Sequence, residues 1–450
     1  MENNAQYIQG NIGKTIIRSA IPMLAGTLAI SGYNVVDTYF VAQLGQSPLA
    51  AIGFTFPVIM FINCIYHGLS NGTLTSVAHA LGGKNHSRAR NTASAGLLLQ
   101  LLVAFMLSII GYLSIDFIFS MCGATKETLP LIHDYMNTWF LGSFSIALAM
   151  CGNGLLLATG DTKSASTMMM TGMGINAILD PILIFGYWKC PALGIKGAAI
   201  ATVLSQTISF IGMYVILNFK HRLLSLHALR KRYLRICWFI ILRIAIPSAL
   251  GMIIVPIGAF IRTRMIASFG EVAVAAVAAE SRIEVVAFIL PMAIGMPLMS
   301  MVAQNYGAKL YQRLVDCHTF TMSFAFFYEL LMAIVYWITA PYVATFFSND
   351  PEVIKIIIIS LRIIPFGFGL VEVHRYSGFF YTGCNHPNHA AFLSIFRIVL
   401  LVLFSYFATL ANWLTGLFVA HLCTDVISGT TGFLLTRNLV KKLANSSNNL

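Results

Sequence analysis

Charged residues make up only 10% of this 450-residue chain, and just 16 residues are acidic. A soluble domain carries about 25% charged residues, so most of this surface is not built for water. Catalytic signatures are missing too. There is no phosphate-binding glycine loop, zinc-protease motif, nucleophile elbow or dinucleotide fingerprint, so the sequence supports neither ATP hydrolysis nor soluble-type catalysis. The reading is therefore not an enzyme, with no cofactor and no dedicated metal. The eight cysteines (64, 122, 151, 190, 237, 317, 384 and 423) show no CxxC or Cys/His spacing. Most fall in apolar stretches, where a thiol behaves as a small apolar group, and all eight are read as structural. Met1–Asn11 lacks the basic start and small-residue cleavage site of a secretory leader. The first apolar segment is thus expected to act as an uncleaved insertion signal.

What the chain does have is hydrocarbon. Apolar residues reach 58% and mean hydropathy is +0.79. Twelve windows between residues 15 and 437 are each long enough to cross about 30 Å of bilayer core. The expected fold is all-α and membrane-embedded, with lipid as its constant partner. The net charge of +12 is spread over short loops, which argues against nucleic acid. Lys84, Arg88, Arg90, Lys163, Lys220, Arg222, Arg230, Lys309, Arg313 and Lys441 fall on one side of the twelve windows. The other side offers little beyond Lys126, Lys189, Lys196 and Lys355. That asymmetry predicts both termini in the cytoplasm of a plasma (inner) membrane protein.

The windows divide six and six around a basic stretch. The expected division is an amino lobe over 1–218, a cytoplasmic linker over 219–238 and a carboxy lobe over 239–450. Leu223, Leu224 and Leu226 of the linker suggest a short helix lying against the headgroups. The halves are related by a gapless register of 225 residues. It pairs Arg18 with Arg243, Pro22 with Pro247, Gly26 with Gly251 and Gly45 with Gly270. Further on it pairs Lys84 with Lys309 and Arg88 with Arg313. An even number of spans per half gives the halves the same orientation, the parallel-repeat plan of rocking transporters with a central cavity. A monomer is expected to suffice.

The halves differ where it matters. Asp37 sits within the apolar stretch Ile21–Val41 and Asp180 within Ser166–Trp188, while Asp37 falls opposite Arg262 in the repeat. A carboxylate at bilayer depth costs roughly 2.5–3.5 kcal/mol on insertion scales and is rarely kept without a task. Asn176 and Asp180 are one turn apart on one face, as are Asn34 and Asp37. Tyr135, Asn153 and Thr202 offer further oxygens, so a proton, or Na⁺ at Asp37, Asn176 and Asp180, is an expected partner. Packing alone remains an even alternative for Asn153 and Thr202. Pro22, Gly26 and Gly32 precede Asp37 and weaken the first helix, so bending there is expected. In the second half Arg262, Glu280, Arg282, Glu284, Glu372, His374 and Arg375 carry both signs. Internal ion pairing is favoured over substrate contact for them.

Several motifs are more specific: Val36-Asp37-Thr38-Tyr39-Phe40-Val41, Ala158-Thr159-Gly160-Asp161, Gly197-Ala198-Ala199-Ile200-Ala201-Thr202, and Gln304-Asn305-Tyr306-Gly307-Ala308. With the six-plus-six repeat they make the whole chain resemble the multidrug and toxic compound extrusion (MATE) family. The cluster of Asp37, Asn176, Asp180, Tyr135, Asn153 and Thr202 is similar to the amino-lobe cation site of its DinF-like branch. The NorM-like branch places its acidic site on helices seven and ten. Val255 stands at that helix-seven position here, and Glu372 lies about one residue from the helix-ten position. The resemblance implies antiport of amphipathic, often cationic, drugs or dyes against H⁺ or Na⁺ by alternating access. The alternative is a flippase for a lipid-linked or polyisoprenoid precursor, drawn from the second-half arginines.

Overall fold

A computed structural model describes residues 6–225 and 230–448. Twelve helical stretches within it are long and apolar enough to cross a membrane. In chain order the helices are α1 (Ile12–Ala42), α2 (Gln46–Gly82), α3 (His86–Leu113), the short α4 (Ile115–Met121), α5 (Thr128–Thr159), α6 (Thr162–Phe185) and α7 (Ile195–Val215). The second half has α8 (Lys231–Ala267), α9 (Glu271–Gly307), α10 (Tyr311–Phe347), α11 (Pro351–Ile363), α12 (Phe368–Gly383), α13 (Pro387–Leu410) and α14 (Leu414–Asn448). The tenth span, expected as one helix, is two. α11 and α12 meet at a 3₁₀ turn over Ile364–Gly367, where Pro365 cannot continue the ladder.

Contacts divide the chain into two units. One holds Met1–Tyr7 and Arg18–Ala249, and the other holds Ile8–Ile17 and Leu250–Leu450. In the first unit α5 is the central element, packed on α2, α3 and α7. Its core joins Tyr66, Phe119, Ile132, Met136, Trp139 and Phe140. In the second unit α12 holds that place, packed on α9, α10, α13 and α14. There Phe288 and Phe368 bring their rings to 4.8 Å.

The internal repeat reappears as backbone geometry. Gly45 and Gly270 precede α2 and α9 with φ of 113° and 94°, values that a side chain would strain. Lys84 and Lys309 leave those same helices at φ 57° and 59°. Pairs of residues that match by register thus occupy matching, unusual conformations. The Thr159-Gly160-Asp161 motif also has a local cause. Gly160 closes α5 in the left-handed region, and Asp161 caps α6 by accepting from the Ser164 amide at 3.1 Å.

The linker corrects the expectation. Residues 222–225 form no helix, and Leu223 is buried, not turned to the headgroups; Leu226 lies outside the described residues. This segment is tied down by polar contacts. Arg90 donates to the Leu224 carbonyl at 3.1 Å, and the Ser225 amide donates to Ser94 Oγ at 2.8 Å. In the second unit Arg313 Nε donates to Asn305 Oδ1 at 3.0 Å, while its terminal nitrogens reach the carbonyls of Gln9 and Gly10. All eight cysteines are free.

Candidate cation site

Four helices of the first unit bring together the polar groups of the amino lobe. α1 supplies Tyr33 and Asp37, α5 supplies Tyr135, α6 supplies Asn176 and Asp180, and α7 supplies Thr202 and Ser205. Helical spacing aligns the acceptors, because positions four apart share a face. Asn176 Nδ2 donates to Asp180 Oδ1 at 3.2 Å, with both residues fully buried. The two carboxylates are close enough to sense each other's charge, and Tyr33 and Tyr135 lie within electrostatic reach of both. The Tyr33 hydroxyl is held at 3.3 Å from Ser205 Oγ, with Thr202 close by on the same helix as Ser205.

The cluster is rich in acceptors and poor in donors. Asp37 Oδ1, Asp180 Oδ2 and Asn176 Oδ1 are buried without a hydrogen-bond partner. Buried acceptors are normally satisfied, and an orphan costs about 1–3 kcal/mol, more when charged. Three such oxygens in one cluster call for a proton or a hard cation, and oxygen ligands are what such a cation takes. Among the described residues no group of three or more His, Cys, Asp or Glu is placed to hold a metal ion. Asn153 Oδ1 is also buried and unpartnered, but it bonds to no member of the cluster. The Asn34 side chain lies outside the described ones. Pro22 sits inside an uninterrupted α1. Gly26 and Gly32 lie where Met169 and Met173 of α6 press on that helix; a Cβ on Gly32 would meet Met173 Cε at 2.5 Å.

In the second unit the charged residues pair. Arg375 lies 2.9 Å from Glu372, and Arg262 lies 3.7 Å from Glu280 and 3.0 Å from His421 Nδ1. Arg397 Nη2 reaches Asp425 at 2.8 Å. Glu284 lies within reach of Arg262, Arg375 and Arg397, while His374 Nδ1 is buried without a hydrogen-bond partner. Arg282 is exposed and joins none of these pairs.

Sequence reasoning missed several members. Tyr33 is one turn before Asp37, a spacing that would have found it. Glu329 is fully buried with both oxygens lacking hydrogen bonds, and Asp425 is fully buried beside Arg397. Both are lone acids in apolar spans, the very signal that singled out Asp37. Outside the membrane, Asp161 accepts from Lys220 Nζ at 2.7 Å and from Ser164 Oγ at 2.8 Å, with His221 Nε2 at 2.9 Å. Burial alone would raise its pKa, but these bonds outweigh burial and hold it well below the usual carboxylate value.

The MatE family matches residues 22–182 and 247–407, one stretch in each half of the repeat. A FAD transporter of Shewanella oneidensis is 33% identical over 440 residues, covering 98% of this chain and 97% of its own. The multidrug export protein MepA of Staphylococcus haemolyticus is 24% identical, covering 84% and 82%. Among solved structures, a MATE in a bent conformation is 27% identical with a TM-score of 0.92, covering 100% of both chains. A MOP-superfamily transporter from Pyrococcus furiosus, described as having a binding pocket of reversed polarity, is 27% identical with a TM-score of 0.90, covering 99% of each chain.

Proposed function

The chain belongs to the MATE family of membrane transporters, which makes it a transporter and not an enzyme, and we propose that it exports amphipathic organic compounds in exchange for a cation. The observation that carries this reading is the set of three unpartnered acceptor oxygens on Asp37, Asn176 and Asp180. Asp37 is the principal coupling carboxylate and Asp180 its partner, with Tyr135, Thr202 and Tyr33 around them and Asn153 nearby in the lobe. H⁺ is the preferred ion, because two neighbouring carboxylates readily share one proton. The three oxygens suit Na⁺ as well. This amino-lobe cluster, with Val255 at the helix-seven position, is the reason for placing the chain in the DinF-like branch. The loop charges argue for a plasma-membrane protein with cytoplasmic termini.

A second reading concerns the cargo. The relative named FAD transporter aligns along nearly the whole chain and, at 33% identity, is more similar than the Staphylococcus haemolyticus MepA at 24%. A flavin compound is therefore as reasonable a cargo as a cationic drug. The flippase alternative is weakened, because Arg262, Arg375 and Arg397 each already face a carboxylate of their own unit.

The test is efflux of ethidium and of FAD from energised vesicles carrying the wild type or Asp37→Asn. Loss of imposed-gradient efflux in the variant is expected, and efflux equal to wild type removes Asp37 from the mechanism. Efflux driven by a Na⁺ gradient alone, with the pH gradient collapsed, overturns the preference for H⁺.

A further inference from the structure

The two halves expose the same two repeat positions on otherwise buried helix segments. From Tyr66 to Ala78 of α2 only His67 and Asn71 are not buried, and from Pro291 to Ala303 of α9 only Met292 and Met296 are not. The register of 225 pairs His67 with Met292 and Asn71 with Met296. Matching exposure alone does not tell an open surface from a lipid-facing one; the polar side chains at the first-half positions do.

The chemistry at these positions has diverged. Asn63, His67 and Asn71 follow each other at four-residue spacing and form one polar stripe along α2. His67 lies three residues from the middle of the helix, about 4.5 Å along its axis, so it is deep within the hydrocarbon zone. His67 is exposed, and neither it nor Asn71 makes a side-chain hydrogen bond to any described residue. Asn63 Oδ1 is buried and unpartnered. Unsatisfied polar side chains at His67 and Asn71 cannot be left facing lipid tails without a cost of several kcal/mol, so these two face a wet surface, with the buried Asn63 oxygen one turn further along the stripe. None of the three is drawn into the Asp37 and Asp180 cluster.

We propose that Asn63, His67 and Asn71 are substrate-binding residues that hydrogen-bond the polar edge of a planar heteroaromatic compound bearing N–H and C=O groups. The unpartnered Asn63 oxygen asks for a donor. An imidazole in its neutral form offers one donor and one acceptor and a carboxamide offers two donors and an acceptor, which matches an edge of alternating polarity. The inference rests on the export reading for its biological meaning, but it is testable by binding alone.

The experiment uses the full-length protein in nanodiscs, with exposed Cys122 and Cys423 replaced by serine. His67→Cys and Asn71→Cys are treated with a charged thiol reagent, which reacts only in water, with and without riboflavin. Binding of riboflavin and of tetraphenylphosphonium, an aromatic cation without a hydrogen-bonding edge, is then measured for wild type, His67→Leu and Asn71→Leu. Both cysteines should label, riboflavin should protect them, and each leucine variant should weaken riboflavin by about tenfold, as for the loss of one hydrogen bond. Tetraphenylphosphonium should stay within about twofold, and His67→Gln should recover part of the riboflavin affinity. Cysteines that do not label, labelling that riboflavin leaves unchanged, a wild type that binds no riboflavin, or equal loss of both ligands would each overturn the proposal. The expected binding pattern without any vesicle efflux would instead refute export and leave the stripe standing.

Discussion

Asn176 and Asp180 join one turn of α6 through a single bond, Nδ2 to Oδ1 at 3.2 Å, which leaves Asn176 Oδ1 and Asp180 Oδ2 with no partner. The bond fixes the carboxylate without satisfying it. A cluster built only to hold helices together would have paired these oxygens, because buried unpaired acceptors are costly. Pre-positioned but unsatisfied oxygens are what a site needs if it is to take up and release a small cation.

Removing that orienting bond should therefore damage coupling more than folding. Asn176→Leu is expected to lower ion-driven efflux by at least about tenfold, the effect of a misplaced group at a site that depends on geometry. Gel filtration should remain monodisperse. Asn176→Asp should lower efflux too, by adding a third negative charge. Normal efflux by Asn176→Leu would show that Asp180 needs no such support.

At the membrane surface, Asp161 gives a pH-dependent stability term with a definite sign. Its folded pKa is depressed, because bonds from His221, Lys220 and Ser164 outweigh burial. Its contribution is thus fully present above its ordinary value, about 3.9, and is lost as pH falls through the lower folded value. Asp161→Asn should melt at a lower temperature than wild type at pH 7, by the same margin at pH 5. The gap should narrow below about pH 4. A gap that closes already between pH 7 and 5 would assign the effect to another group.

The Arg397 and Asp425 pair is buried on the acid side, so each partner depends on the other. Arg397→Leu should cost about 3–5 kcal/mol of stability by leaving the Asp425 charge uncompensated. Arg397→Leu combined with Asp425→Leu should be more stable than Arg397→Leu alone, as read by denaturation in detergent. A double variant whose losses simply add would mean that the two groups act independently.

Most of this architecture was legible in the sequence because hydrocarbon imposes a strict length rule, and a chain must write it twelve times. The repeat was legible for a different reason. Gly45 and Gly270 hold backbone angles that favour glycine, so drift could not erase them. Asp37 and Asp180 stood out by charge against an apolar background. Glu329 and Asp425 stand out equally by that criterion, yet the ion-pair reading of the second half names only other residues, among them Arg262, Glu280, Arg282, Glu284, Glu372, His374 and Arg375, and passes over both. What sequence could not give was satisfaction. Whether an Asn, His or Asp at bilayer depth already has a partner depends on neighbours from other helices. That separates Arg397, which is paired, from His67, which has no bond to a described residue. The break in the tenth span was readable in principle from Pro365, but a single proline also fits a merely kinked helix.

The glycines of α1 now have a packing role, which sharpens the question of how protonation becomes movement. Pro22 leaves the Arg18 carbonyl without its helical donor, and Gly26 and Gly32 let Met169 and Met173 of α6 lie close against the helix. Neutralising Asp37 would weaken its electrostatic hold on the Asp180 side. An α1 already poor in hydrogen bonds at Pro22 could then settle into a second shape, a two-state element biased by one charge. Methionines suit this arrangement, because a flexible thioether can follow a helix that moves. Spin labels on α1 and on α3 of the same unit read the motion directly. The interlabel distance should change between high and low pH in wild type and should sit at its low-pH value in Asp37→Asn at either pH. Pro22→Ala, which restores the missing donor, should reduce that change. A distance indifferent to pH in wild type, or a full-sized change in Pro22→Ala, would leave Pro22 as a fixed entry kink and separate cation coupling from bending of this helix.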